Sequence, residues 1–161
     1  MKRFHVHAHV EDLAVSIAFY TRLFGTEPTR VEADYAKWML DDPRLNFAIS
    51  TRGTAPGIDH LGIQAESEDE LAELKQRAAA AADTALLDEG ATTCCYARSD
   101  KHWVTDPQGI AWEHYRTLGS IPVFREGEPG AADAACCTPA AAAQAGVCCT
   151  PAQAEKPGRC C

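Results

Sequence analysis

The eight cysteines of this chain stand as four adjacent pairs: Cys94-Cys95, Cys136-Cys137, Cys148-Cys149 and Cys160-Cys161. Neighbouring cysteines make poor structural disulfides, because the usual Cα separation and dihedral are hard to reach in so tight a ring. Two adjacent thiolates can instead converge on one soft atom, since soft ligands select soft partners. A second set of donors has a different character. His5, His7 and His9 alternate along one segment, His60 stands in Asp59-His60-Leu61-Gly62, and Glu113 lies in Trp112-Glu113-His114-Tyr115. Two neutral imidazoles and one carboxylate leave coordination positions open. Non-haem Fe(II) oxygenases use that arrangement, and related divalent ions fit similar sites.

Two rounds of one pattern must position these groups. Residues 3–10 alternate and read as a strand. Asp12 is placed to cap a helix running to about Phe24, with Leu13, Ile17, Tyr20 and Phe24 at helical spacing and Gly25 as the stop. Strands follow near 29–33, 36–41 and 45–50, with a turn at Asp41-Asp42-Pro43-Arg44. The order then restarts. Residues 58–65 form a strand, and Ser67 with Glu70 makes a capping box for a helix over about 68–82. Strands come near 92–97, 101–105 and 110–116, with a turn at Asp106-Pro107-Gln108-Gly109. Each half reads β-α-β-β-β, which makes the fold class α+β.

The repeat bears on the donors. His5 lies seven residues before Asp12, and His60 lies seven before Ser67. Equivalent positions of a repeated module lie near a pseudo-two-fold axis, so the two rings can face each other. Glu113, on a late strand with Ala111 and Tyr115 on its side, completes the set. A strand histidine is more often a satisfied structural residue than a ligand. Periodicity does not choose among His5, His7 and His9, which share a face; the matched register favours His5. His102 and His114 lack a repeat argument and read as surface or structural.

The 161 residues carry a net charge of −8, which suits one domain with a tail and gives no nucleic-acid footprint. The first residues lack the apolar run of a secretory signal, and no segment approaches the roughly 18 apolar residues of a membrane span. The expectation is a cytoplasmic protein with reduced thiols. Composition shifts near residue 126. The domain is expected over 1–125, with modules of about 1–52 and 56–120. Residues 127–161, rich in Ala, Pro and Gly and without aromatics, read as a disordered tail. There Cys136, Cys148 and Cys160 recur every twelve residues, and Cys-Cys-Thr-Pro occurs twice. Such a period implies duplication of a small unit. Either Cys136, Cys137, Cys148, Cys149, Cys160 and Cys161 capture soft metals or metalloids and raise the local thiol concentration, or the tail is a neutral low-complexity expansion.

Several stretches together resemble a known superfamily. They are Phe19-Tyr20-Thr21-Arg22-Leu23-Phe24-Gly25-Thr26-Glu27-Pro28, Asp59-His60-Leu61-Gly62, Thr93-Cys94-Cys95-Tyr96-Ala97, Trp103-Val104-Thr105-Asp106-Pro107 and Trp112-Glu113. The chain resembles the vicinal oxygen chelate superfamily of glyoxalase I, extradiol dioxygenases and bleomycin-resistance proteins. Within it, the chain is similar to the carbon–arsenic lyases and cadmium-induced proteins of ArsI/CadI type. The likeness spans about 1–118, and the Thr-Cys-Cys-Tyr-Ala element with the downstream Val-Thr-Asp-Pro is its specific part. It implies a curved mixed sheet of two tandem βαβββ modules around a metal. It also implies metal ligands at His5, His60 and Glu113 and substrate binding by Cys94 and Cys95. In such families the first-strand ligand varies between His and Gln. His102 departs from the pattern, standing where related sequences often carry an aliphatic residue.

The activity so implied is cleavage of the carbon–arsenic bond of trivalent organoarsenicals such as methylarsenite and aromatic arsenicals, with Fe(II) as cofactor, O2 as co-substrate and arsenite as product. Two cysteines displace both oxygens of R–As(OH)2 and leave the As–C bond as the third, which fixes the bond presented to the metal. Residues 88–100 read as a loop that binds substrate and closes, with Arg98 and Lys101 as cations able to lower the thiol pKa or merely to keep the loop soluble. A vicinal pair also suits a packed core or a redox switch. The alternative function is sequestration of cadmium or arsenite without turnover. A glyoxalase-type isomerase is a third reading, which leaves Cys94-Cys95 unexplained. Both modules lie in one chain, so a monomer or a homodimer is expected, with no membrane or nucleic-acid partner.

Overall fold

A computed structural model describes residues 1–82 and 85–124; the tail cysteines and the expectation of a disordered tail lie outside them. Strand β1 (Arg3–His9) leads into helix α1 (Leu13–Phe24), then β2 (Arg30–Glu32), β3 (Tyr35–Asp41) and β4 (Arg44–Ser50). Strand β5 (Gly57–Ala65), helix α2 (Glu68–Ala81), β6 (Leu87–Cys94), β7 (Ala97–Thr105) and β8 (Ala111–Ser120) repeat the order. One mixed sheet holds all eight strands in the order β2-β3-β4-β1-β5-β8-β7-β6.

The first strands of the two halves pair antiparallel at the centre of the sheet. Each is flanked by the last strand of its own half, β4 beside β1 and β8 beside β5, both parallel. The register shows the internal symmetry: His5 lies opposite Gly62 and His7 opposite His60, so exchanging 5 with 60 and 7 with 62 maps one pair onto the other. The approximate axis passes through the Val6–Leu61 pair.

Local chemistry sets the element ends. The Asp12 carboxylate accepts the Val15 N–H at 2.9 Å, and Gly25 ends α1 in the left-handed region at φ 67°. Ser67 accepts the Glu70 N–H at 3.2 Å. Glu70 reaches back to the Glu66 N–H rather than to that of Ser67, a capping box displaced by one residue. Helix α1 lays Leu13, Ile17, Tyr20 and Phe24 on a cluster of Ala8, Ala36, Trp38, Phe47 and Ile49. Helix α2 sets Leu71 and Leu74 on Ala65. The helices thus cover one face and leave the other for polar groups of alternate strand positions.

The second half departs from expectation at residues 88–100. They form no loop: β6 and β7 pair from Leu87–Trp103 to Cys94–Ala97, leaving only Cys95 and Tyr96 to turn the chain. Both have positive φ, 57° and 61°, as two-residue hairpins require. Asn-Gly usually fills that role, so Cys-Tyr gave no turn signal. Other contacts hold the turn instead. The Tyr96 hydroxyl donates to Asp34 at 2.6 Å, its ring packs on Tyr35 and Phe124, and Arg30 donates to the Tyr96 carbonyl at 3.0 Å.

Candidate active site

Alternate residues of the central strands bring His5 from β1, His60 from β5 and Glu113 from β8 onto the face opposite the helices. They are 5%, 2% and 8% exposed. Gly62 is what lets β5 and β8 approach here, since a Cβ there would fall 2.2 Å from the Glu113 carbonyl oxygen. His5 Nε2 and His60 Nε2 are 3.2 Å apart, and Glu113 Oε2 is 3.6 and 3.5 Å from them.

Hydrogen bonds fix which ring atoms face inward. His5 Nδ1 lies 3.0 Å from the Asn46 carbonyl and His60 Nδ1 lies 2.6 Å from Asp59 Oδ2. Both Nδ1 atoms therefore carry the proton and donate, leaving both Nε2 lone pairs aimed at each other and at a carboxylate oxygen. With both lone pairs so placed the three acceptors repel unless a positive charge stands between them, either a metal ion or the proton that His60 Nε2 shares with Glu113. A point equidistant from the three atoms lies about 2 Å from each, the length of a nitrogen or oxygen bond to such a metal. The residues fit a divalent ion bound on one side by two imidazoles and an acid.

The surroundings favour positive charge at that point. Burial lowers the His5 pKa to about 3, reinforced by the neighbouring His60, so His5 is neutral at pH 7. Burial also opposes a charge on His60, but hydrogen bonds to Asp59 and Glu113 outweigh it and raise its pKa. Burial opposes ionisation of Glu113, yet the Lys101 ammonium, 2.9 Å from its other oxygen, and the two rings hold it well below the usual carboxylate range. Lys101 thereby leaves Oε2 as the oxygen turned to the rings. Asp59 is itself a hub, with His7 Nδ1 at 3.2 Å and His9 Nε2 at 3.1 Å. A second donor group of His7, Asp59 and His60 is explained by these hydrogen bonds, which orient His60 from behind.

Cys94 is buried and Cys95 half-buried at the hairpin tip, with Sγ atoms 3.0 Å apart. Both line one cavity of about 470 Å³, open mouth included, with His5, His60, Glu113 and Lys101. Burial pushes the Cys95 thiol up to about 12, although Lys101 pulls the other way. Of the two roles open to the nearby cations, lowering the thiol pKa does not prevail at Cys95: Arg98 is exposed and desolvation outweighs Lys101. His102 and His114 are not surface residues. They are 1% and 7% exposed and pair across β7 and β8 at 3.1 Å, away from the cavity.

Sequence reasoning missed Asp59 and Asn46 as the groups that orient the rings, Lys101 as the partner of Glu113, and Tyr35 and Lys37 as cavity wall, whereas it set Tyr115 on the Glu113 side. Strand alternation carried some of this signal. Lys101 and Trp103 lie opposite Tyr115 and Glu113 in the β7–β8 register, and Asp59 adjoins His60.

Residues 2–114 match the Glyoxalase/Bleomycin resistance protein/Dioxygenase superfamily. A trivalent organoarsenical cleaving enzyme of Bacillus sp. is 41% identical over 88% of this chain and 93% of its own length. The enzyme of that name from Thermomonospora curvata is 35% identical over 91% and 95%. The cadmium-induced protein CadI of Mycobacterium tuberculosis is 36% identical over 79% and 84%. Among solved structures, the Mn(II)-bound glyoxalase of Novosphingobium aromaticivorans shares the fold, with a TM-score of 0.52 at 19% identity over 81% of this chain and 44% of that one. The chain belongs to the glyoxalase/bleomycin resistance/dioxygenase superfamily and, within it, to the family of the trivalent organoarsenical cleaving enzymes and CadI.

Proposed function

We propose that this protein cleaves the carbon–arsenic bond of trivalent organoarsenicals, methylarsenite and aromatic arsenicals among them, releasing arsenite. The observation that carries this reading is the shared cavity: a vicinal cysteine pair and an open-sided set of two histidines and a glutamate line the same walls. The relatives named for that activity support it. His5, His60 and Glu113 would hold Fe(II), which when bound supplies the redox chemistry with O2 that the side chains lack.

The chain's own residues do the rest. Cys94 and Cys95, in reduced form, exchange for the two oxygens on arsenic and leave the As–C bond as the one free to react. Because the Cys95 thiol is neutral at pH 7, its proton can leave with the displaced hydroxide as water. Lys101 keeps Glu113 ionised, and Asp59 and the Asn46 carbonyl hold the two rings in place. The buried walls of Tyr35 and Tyr115 limit water at the reacting bond. For methylarsenite the atoms balance as arsenical plus dioxygen giving arsenite plus formaldehyde, with no further reductant. A reducing cytoplasm suits both the thiols and the ferrous ion.

The test is anaerobic reconstitution with Fe(II), then methylarsenite with and without air, reading arsenite by chromatography. Air-dependent arsenite is expected. Glu113→Ala should lose it while still binding arsenical, and Cys94→Ser should lose the binding. Tight binding without product across Fe(II), Co(II) and Mn(II) would instead establish sequestration. The three cysteine pairs of residues 136–161 and the CadI relatives favour that second reading.

A further inference from the structure

Lys37 lies on β3 between Ala36 and Trp38, which pack under α1. Alternation turns it to the other face, where it lines the cavity with Tyr35, Cys94, Cys95 and Glu113. Its register neighbours are Ala48 on one side and Arg30 on the other. Neither offers an anion. Among the described residues no carboxylate comes within ion-pair distance of the Lys37 ammonium and no group accepts a hydrogen bond from it, whereas the other cavity lysine, Lys101, holds Glu113 and Glu89. Arg30 is ion-paired with Glu32 and donates to the Tyr96 and Ile121 carbonyls and Ser120, and its charge, offset only in part, still opposes that of Lys37. Burial and Arg30 both draw the Lys37 pKa down, in that order. A half-buried ammonium next to a second cation, with no counter-ion, is costly unless a ligand supplies the charge. Cys95 does not supply it, because its thiol is protonated at neutral pH.

We infer that Lys37 reads an anionic group, such as a carboxylate or phenolate, on the organic substituent of a trivalent arsenical held by Cys94 and Cys95. The inference rests on the reading above and names the substrate class of the same site. With arsenic fixed at the hairpin tip, the substituent is the only part of the molecule free to extend along the cavity wall. An ammonium waiting there gives a charge-assisted hydrogen bond to an acid and nothing comparable to a bare phenyl or methyl group.

Fe(II)-loaded protein dialysed without oxygen against phenylarsenite or 4-carboxyphenylarsenite, with bound arsenic read by mass spectrometry, tests this. The carboxylated arsenical should bind roughly ten-fold tighter. Lys37→Met should bring that ratio near one, and Lys37→Arg should retain most of it. Equal affinities in the unmodified protein, or a Lys37→Met variant that weakens both arsenicals by the same factor, would overturn the inference. Admitting air then separates the two claims. A carboxylate preference without cleavage keeps this inference and removes the lyase reading. Cleavage of both compounds at equal affinity does the reverse.

Discussion

At the scale of single residues, the site is a problem in proton placement. Asp59 and the Asn46 carbonyl each accept a ring N–H from Nδ1, so both Nε2 atoms can turn a lone pair to an ion once the proton His60 shares with Glu113 is displaced. Asp59→Asn breaks that assignment for His60, because an amide can present a donor where the carboxylate only accepts. Metal affinity should fall about 10- to 100-fold, measured by competition against a chromophoric chelator, with far-ultraviolet circular dichroism unchanged. Sequence reasoning reached the meeting of His5 and His60 because each stands at the same offset from a helix cap. It did not reach Asn46 or Lys101, whose partners are set by sheet pairing between residues 41 and 12 positions apart. The sequence leaves the thiol pKa open for a related reason. Charge is visible in a sequence, whereas burial, which decides the matter for Cys95, follows only from the packed fold.

At the scale of elements, the caps and helical spacings made α1 and α2 legible almost to the residue, and the hairpin carrying the cysteines was the element most misjudged. Its turn lacks Gly and Asn and is imposed by tertiary contacts. Arg30 ties the Tyr96 carbonyl to the Ile121 carbonyl and to Ser120 while its guanidinium lies 4.9 Å from the Tyr96 ring. Arg30→Met should leave metal affinity unaltered, speed amide exchange at Tyr96 and Ala97, and raise KM for arsenicals several-fold. Unaltered exchange at the turn would show that Asp34 and the aromatic packing suffice. The β7–β8 pair carries another test. Burial, then the Lys75 charge, depresses the His102 pKa below 6.5. The folded state then binds its proton less readily than the unfolded state, so this contribution is complete above about pH 6.5 and declines as pH falls below it. His102→Val should raise the urea midpoint at pH 5.5 relative to its effect at pH 7.5, as read by tryptophan fluorescence.

At the scale of the whole molecule, two similar halves supply one site. The sequence repeat displayed the halves, and the central β1–β5 pairing shows where they join. Among the described residues no helix is long and apolar enough to cross a membrane. Every proposed ligand and both cavity cysteines precede residue 125, so a chain ended after residue 126 should keep most of its turnover, measured as arsenite released per iron. The seam itself has a further consequence. His5 belongs to the first half, His60 and Glu113 to the second, and the connection between them runs through exposed residues 54–57. A gene split there would yield two fragments whose reassociation is driven by sheet pairing and reinforced by the ion proposed for His5, His60 and Glu113 across the joint. Such complementation should tighten with added Fe(II) and come apart under a chelator, which would make the proposed metal a clasp between the two βαβββ halves.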